Sequence, residues 1–123
     1  MTATKLLDTS VWLAYFFSSS KEAKKIIEEE MGLFLTSSLS LFEMKKKFLS
    51  LKKDSEKFLD FVKNRSTIIM LTTEIAEHAA EIALHKKLGA VDALIYATSM
   101  LSQAELITAD NDFRGLEKVR IIS

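Results

Sequence analysis

The chain has 123 residues, of which 48% are hydrophobic and 28% are charged, so a single domain over residues 1–123 with its own core is expected. It has no cysteine, which excludes disulfide bonds and thiolate zinc sites. Seventeen basic and seventeen acidic residues balance, so binding of nucleic acid would depend on local patches of charge. No apolar run suits a membrane span and no secretory signal is recognisable, which predicts a cytoplasmic protein.

Short apolar strands alternate with helices along the chain. In order, the sequence predicts a strand at 4–8, helices at 10–18 and 21–30, a strand at 32–37, helices at 38–53 and 55–64, a strand at 67–72, helices at 73–89 and 92–104, and strands at 105–109 and 118–123. Thr73 and Gly89 are the expected caps of the 73–89 helix. The alternation predicts an α/β fold with a parallel sheet of about five strands and right-handed crossovers.

Four acids are expected along one edge of this sheet. Asp8 and Asp110 follow the first and fourth predicted strands, and ligands of open parallel sheets bind beyond the carboxyl ends of strands. Asp92 opens an apolar helix, and Glu43 lies opposite the apolar stripe of the 38–53 helix. Carboxylates gathered in one cleft repel one another, and a divalent cation relieves that repulsion. Ligands that are all oxygen suit Mg²⁺ or Mn²⁺, which points to hydrolysis of phosphodiester bonds.

Four segments together resemble the PIN-domain nucleases, and among them the VapC-like toxins of prokaryotic toxin–antitoxin pairs. The segments are LLDTSVWLAYF, SSLSLFEMKKKF, LGAVDALIYATS and LITADNDF. The resemblance covers essentially the whole chain. It implies a three-layer α/β/α sandwich, an endoribonuclease dependent on Mg²⁺ or Mn²⁺, a homodimer, and an antitoxin protein that blocks the site.

The resemblance also assigns roles to individual residues. The positions that match the family's acidic quartet are Asp8, Glu43, Asp92 and Asp110. The supporting positions are Thr9 or Ser10, Thr108 and Asp112, the last an acid whose presence varies in the family. Two of the quartet, Asp8 and Asp110, are expected to be the principal cation ligands. Asp92 would complete the shell directly or through water, and Glu43 would orient the attacking water or a second ion.

Each site residue also has a simpler structural interpretation. The Asp8-Thr9-Ser10 segment could simply end a strand and cap the helix that follows, with Asp8, Thr9 or Ser10 as the cap. Asp92 suits the first turn of a helix because of the helix dipole. Glu43 could form a surface pair with Lys47, four residues on. The Asp110 to Asp112 segment could be an Asx turn made by Asn111.

Two further groups are weaker candidates. His78 and His85, with Glu81 between them, could contribute to a metal site, although a solvated helix face explains them better. Four lysines recur seven residues apart on the helix that carries Glu43 and could hold RNA phosphates. They are Lys45, Lys46, Lys52 and Lys53.

Other functions are also compatible with parts of the pattern. A receiver domain is disfavoured because no acceptor aspartate follows the third predicted strand, TIIMLT. A PIN-like subunit that binds RNA or protein without cleaving is a second alternative, which retention of all four acids argues against. A housekeeping RNA-processing nuclease outside any toxin pair is a third, which the sequence leaves open.

Overall fold

A five-stranded sheet forms the centre of the fold. The computed structural model describes residues 3–123. Its strands are β1 (Thr4–Leu7), β2 (Leu33–Ser37), β3 (Thr67–Ile69), β4 (Glu105–Thr108) and β5 (Val119–Ile121). They lie in the order β3-β2-β1-β4-β5, and all neighbouring strands are parallel. The predicted parallel sheet is therefore confirmed.

Six α-helices connect the strands. They are α1 (Thr9–Leu13), α2 (Lys21–Glu29), α3 (Ser38–Ser50), α4 (Glu56–Arg65), α5 (Thr73–Lys86) and α6 (Ala90–Leu101). The predicted 10–18 helix is α1 continued by a π-helical segment, Ala14–Ser18, and a 3₁₀ turn covers Asn111–Phe113. Over residues 3–123, no helix combines the length and apolar character that crossing a membrane requires.

The two faces of the sheet are covered by different helices. Leu7 and Phe34 belong to one core cluster, which also contains Trp12 of α1 and side chains of α2, α3 and α4. Their neighbours Leu6 and Leu35 belong to a second cluster with α6. Since consecutive strand residues point to opposite faces, helices α1 to α4 form one layer and α5 and α6 form the other. This is the α/β/α sandwich that the resemblance implies.

Helix α6 is buried on both sides, which explains its apolar sequence. Ile95 packs in the cluster against the sheet, whereas Ala93 and Ala97 pack with Ile75 and Ala79 of α5. The expectation that this helix lies between the sheet and another helix is confirmed. Its first turn is thereby fixed relative to the carboxyl edge of the sheet.

The predicted caps of α5 were both wrong. Thr72, and not Thr73, accepts a hydrogen bond from the Ile75 N–H at 3.1 Å. At the other end Lys87 takes the left-handed conformation, with φ 56°, that glycine usually supplies. Gly89 instead has an extended conformation and forms the N-cap of α6.

Charge is compensated at the amino edge of the sheet. Glu30 lies 2.8 Å from Lys5 Nζ and accepts hydrogen bonds of 3.1 Å from both terminal nitrogens of Arg120. The bonds from Arg120 and then those from Lys5 lower the pKa of Glu30 to about 2, against the opposing effect of burial. At the carboxyl edge, where the candidate site lies, the acids have no lysine or arginine partner among the described residues.

Candidate active site

The order of the strands reverses between β1 and β4. The chain builds outward from β1 to β2 and β3, then crosses to β4 and β5 on the other side. Such a switch point leaves a crevice beyond the carboxyl ends of the two central strands. Asp8 follows β1 directly and Asp110 lies two residues beyond β4, so both acids lie at this crevice.

Asp8 is a buried carboxylate held by two hydroxyl groups. Its Oδ2 accepts hydrogen bonds from Ser10 Oγ at 2.6 Å and from Thr108 Oγ1 at 2.8 Å. Asp8 has the backbone position of an N-cap for α1, but its side chain makes no capping hydrogen bond. The interpretation of this side chain as a helix cap is therefore wrong.

Glu43 is held from α1 rather than by its own helix. The Thr9 hydroxyl donates to Glu43 Oε1 at 2.7 Å and lies 2.8 Å from Ser40 Oγ. Within residues 3–123, no ion pair joins Glu43 to Lys47, so the surface-pair interpretation is also wrong. The neighbouring residues Asp8 and Thr9 thus form side-chain hydrogen bonds with β4 and α3, respectively.

Asp92 lies in the first turn of α6 and is half-buried. Burial first, and then the negative charges of four other acids, together raise its pKa from 3.8 to about 6. In decreasing order of effect these acids are Asp110, Asp8, Asp112 and Glu43. The charges that surround Asp92 therefore come from every acid that the sequence assigned to the site.

Asp92, Asp110 and Asp112 lie close enough together to share one cation. One carboxylate oxygen from each lies within 4.8 Å of the other two. Asp110 Oδ1 also accepts a hydrogen bond from the Asp112 N–H at 2.9 Å, which closes the 3₁₀ turn and turns Asp112 toward Asp92. The Asx turn is therefore made by Asp110. Asn111 Oδ1 instead accepts a hydrogen bond from Arg114 at 2.6 Å, so the prediction that Asn111 makes the turn was wrong.

The donor set suits a hard divalent cation. All five side chains offer carboxylate oxygens, and within the described residues none of them forms an ion pair with lysine or arginine. Crowded carboxylates without basic partners are destabilising unless a cation or protons neutralise them. The arrangement is therefore chemically suited to Mg²⁺ or Mn²⁺.

Comparison with known proteins identifies the family. The family model described as PIN domain matches residues 5–119, nearly the whole chain. The chain belongs to the PIN domain family. Among curated protein sequences, none matches significantly.

Solved structures similar to this PIN domain include a toxin–antitoxin complex and a toxin. A toxin–antitoxin complex from Klebsiella pneumoniae has 27% identity and a TM-score of 0.81, covering 94% of this chain and 95% of that one. VapBC2 from Rickettsia felis, bound to a promoter DNA fragment, has 16% identity, a TM-score of 0.80, and coverage of 98% and 99%. Mycobacterium tuberculosis VapC20, a toxin that cleaves the sarcin–ricin loop, has 21% identity, a TM-score of 0.74, and coverage of 97% and 99%. The last two show the shared fold.

The four candidate lysines of the PIN domain are all exposed, but they do not form one helical stripe. Helix α3 ends at Ser50, and not near Lys53 as predicted. Lys52 is left-handed with φ 56°, and the N–H of Lys53 bonds back to Phe48 O at 2.9 Å. Of these four lysines, only Lys45 and Lys46 therefore remain on the helix that carries Glu43. Lys53 Nζ lies 5.9 Å from the centre of the Phe17 ring.

The histidine group does not form a metal site. His78 Nδ1 lies 3.9 Å from Glu81, on an exposed helix face. Over residues 3–123, the acids at 92, 110 and 112 are the only group of three potential ligands close enough to share an ion. The solvated-face interpretation of the histidines fits the structure.

One polar residue of the site was missed from the sequence. Ser40 is fully buried, and its hydroxyl contacts Thr9 beside Glu43. Its position three residues before Glu43 places both on the same side of α3, which is the signal that could have identified it. Together these contacts fix Glu43 relative to the start of α1.

Proposed function

We propose that this PIN domain is a metal-dependent endoribonuclease and the toxin of a toxin–antitoxin pair. The observation that carries the proposal is the group of five acids at the switch point of the sheet, which have no lysine or arginine partner among residues 3–123. Asp92, whose pKa is raised to about 6 by burial and by the other four acids, is at its centre. Membership of the PIN domain family supports the same conclusion.

The residues divide into those that would hold the cation and those that fix them. Asp92, Asp110 and Asp112 have oxygens close enough to share one ion. Asp8 and Glu43 complete the acidic wall, as inner ligands or through water. Ser10 and Thr108 fix the Asp8 carboxylate, and Thr9 fixes Glu43. A bound divalent cation supplies activation of water and stabilisation of charge on a phosphoryl oxygen.

RNA is the proposed substrate, and an antitoxin the proposed protein partner. The similar Klebsiella structure is a toxin–antitoxin complex, and the similar Mycobacterium toxin cleaves the sarcin–ricin loop, which supports these choices. We further propose a cytoplasmic homodimer. A reading frame for a small DNA-binding protein beside the gene would support the toxin role, and size-exclusion chromatography with light scattering would test for the dimer.

The nuclease is tested by incubating the purified protein with an end-labelled RNA and with a DNA of the same sequence. We expect cleavage of the RNA in Mg²⁺ or Mn²⁺, no cleavage in EDTA, and little cleavage of the DNA. Cleavage that continues in EDTA would contradict metal dependence. Equal cleavage of the DNA would contradict the choice of RNA.

A further inference from the structure

Phe42 is an exposed aromatic side chain directly beside a proposed catalytic acid. It is 64% exposed, although it belongs to helix α3, and it directly precedes Glu43. The buried side of this helix is formed by Ser40, Met44 and Phe48, so Phe42 takes no part in the core. An exposed aromatic ring next to a charged site is a feature that the fold does not need.

Phe42 lines a cleft that includes part of the acidic site. The cleft has a volume of about 380 Å³, within the range of small-ligand sites. Its walls are Phe42, Glu43, Lys46, Lys47, Ser50 and Val91. Val91 directly precedes Asp92 in α6, so the cleft runs between the two helices that carry Glu43 and Asp92.

The cleft joins three kinds of surface that a nucleotide needs. Phe42 offers an aromatic face, and Val91, itself 40% exposed, adds an apolar edge opposite it. Lys46 and Lys47 offer positive charge, and in the described part of the chain neither forms an ion pair. Stacking on aromatic side chains combined with lysine contacts to phosphate is the usual mode of binding single-stranded nucleic acid.

We propose that the base of the nucleotide next to the scissile phosphate stacks on Phe42, while a flanking phosphate contacts Lys46 or Lys47. This inference rests on the proposed function, because it places the scissile phosphate at the acids. A single-stranded RNA fits the charge of the cleft, since its phosphates pair with the two lysines. Every base has an aromatic face, so this subsite tolerates different bases and selects for an unpaired nucleotide.

The bound RNA can continue past Phe42 into a second groove. This groove, of about 570 Å³, lies between α3 and α4 and shares Phe42 and Lys46 with the cleft. Lys45 and Lys63 also line it, so positive charge continues along the same path. Phe42 therefore stands between two clefts that both carry lysines.

The test is binding of a short single-stranded RNA that contains 2-aminopurine, with Ca²⁺ in place of Mg²⁺ to limit cleavage. We expect Phe42→Leu, which keeps an apolar side chain but lacks the aromatic ring, to raise the Kd by about 5- to 100-fold and to reduce quenching of 2-aminopurine. Phe42→Tyr should bind as the wild type does. Leu84→Ala, at a residue of α5 that is 79% exposed, is the control and should leave the Kd unchanged.

The lysine variants and the contradicting outcomes complete the test. Lys46→Gln and Lys47→Gln should each weaken binding and together reduce the slope of log Kd against log salt. An unchanged Kd in Phe42→Leu, or no RNA binding by the wild type, overturns the proposal. RNA binding that depends on the Phe42 ring, without metal-dependent cleavage, would overturn the proposed nuclease and leave the stacking site standing.

Discussion

Thr108 Oγ1 donates a 2.8 Å hydrogen bond to Asp8 Oδ2, joining residues one hundred positions apart in the chain. Both residues are buried, and they lie at the ends of the two strands between which the sheet reverses. The same Thr108 oxygen accepts from the Asp110 N–H at 3.0 Å. One hydroxyl group therefore sets the positions of two proposed catalytic acids relative to each other.

Replacing Thr108 by valine should reduce both stability and RNA cleavage. Valine has nearly the same shape but leaves the buried Asp8 oxygen and the Asp110 N–H without this partner, which costs about 1–3 kcal/mol of unfolding free energy. The control is Thr98→Val, since Thr98 is equally buried and donates to Leu94 O at 2.7 Å within α6. Urea unfolding and cleavage rates measure the two effects. Cleavage by Thr108→Val equal to that by Thr98→Val would contradict the positioning role.

The raised pKa of Asp92 should make metal-free stability depend on pH. The folded state holds the proton up to a pKa of about 6, whereas the unfolded chain releases it near 3.8. The folded state thus binds more protons between these values, so the free energy of unfolding should fall as pH rises from about 4 to about 6. Asp92→Asn should flatten this part of the profile and be more stable than the wild type at neutral pH, both in EDTA. Asp60→Asn, at an exposed position of α4, is the control. An unchanged profile in Asp92→Asn would contradict the assignment.

Asp112 should contribute to cation binding. Its carboxylate lies within 4.8 Å of those of Asp92 and Asp110, although the residue is exposed. A cation that binds only the folded state raises the melting temperature. We expect Mg²⁺ to raise the melting temperature of the wild type and of Asp60→Asn, and to raise that of Asp112→Asn less. Equal shifts in all three proteins would remove Asp112 from the site.

The sequence predicted the strands, and the gathering of the acids at one edge of the sheet, because both depend on strong local patterns. Apolar runs mark the strands, and an acid directly after a strand in a parallel sheet has few places to lie. The partners of these acids were not predictable in the same way. Whether Asp8 caps a helix or accepts from Thr108 depends on side-chain orientation across a contact between distant residues. The approach of Asp112 to Asp92 depends on a 3₁₀ turn of three residues.

The helix ends were predicted less well because this chain rarely uses glycine to end a helix. It has three glycines, and the left-handed residues after α3, α5 and α6 are Lys52, Lys87 and Gln103. At the end of α6, the N–H groups of Gln103 and Ala104 bond to Met100 O and Ser99 O at 3.1 and 2.9 Å. This is a Schellman motif without its usual glycine, and nothing in the local sequence marks it.

Gln103→Gly should therefore stabilise the protein. A side chain in the left-handed conformation is strained, and glycine removes the strain at some cost in the entropy of the unfolded chain. We expect a net gain of about 0.5–1 kcal/mol in the free energy of unfolding. Gln103→Ala keeps the Cβ and should give no such gain. Loss of stability in Gln103→Gly, measured by urea unfolding, would contradict the assignment of this helix end.

The central claim is that Asp8 and the other acids at the switch point hold a cation used to cleave RNA. Its most direct test compares single-turnover cleavage of RNA in Mg²⁺ or Mn²⁺ by the wild type, Asp8→Asn and the control Asp60→Asn, with folding verified by thermal melting. Asp8→Asn should be neutral or stabilising in metal-free buffer, because one of several repelling charges is removed. We predict cleavage by the wild type and Asp60→Asn, and a loss of at least about 100-fold in Asp8→Asn. Equal cleavage by Asp8→Asn and the wild type would contradict the account.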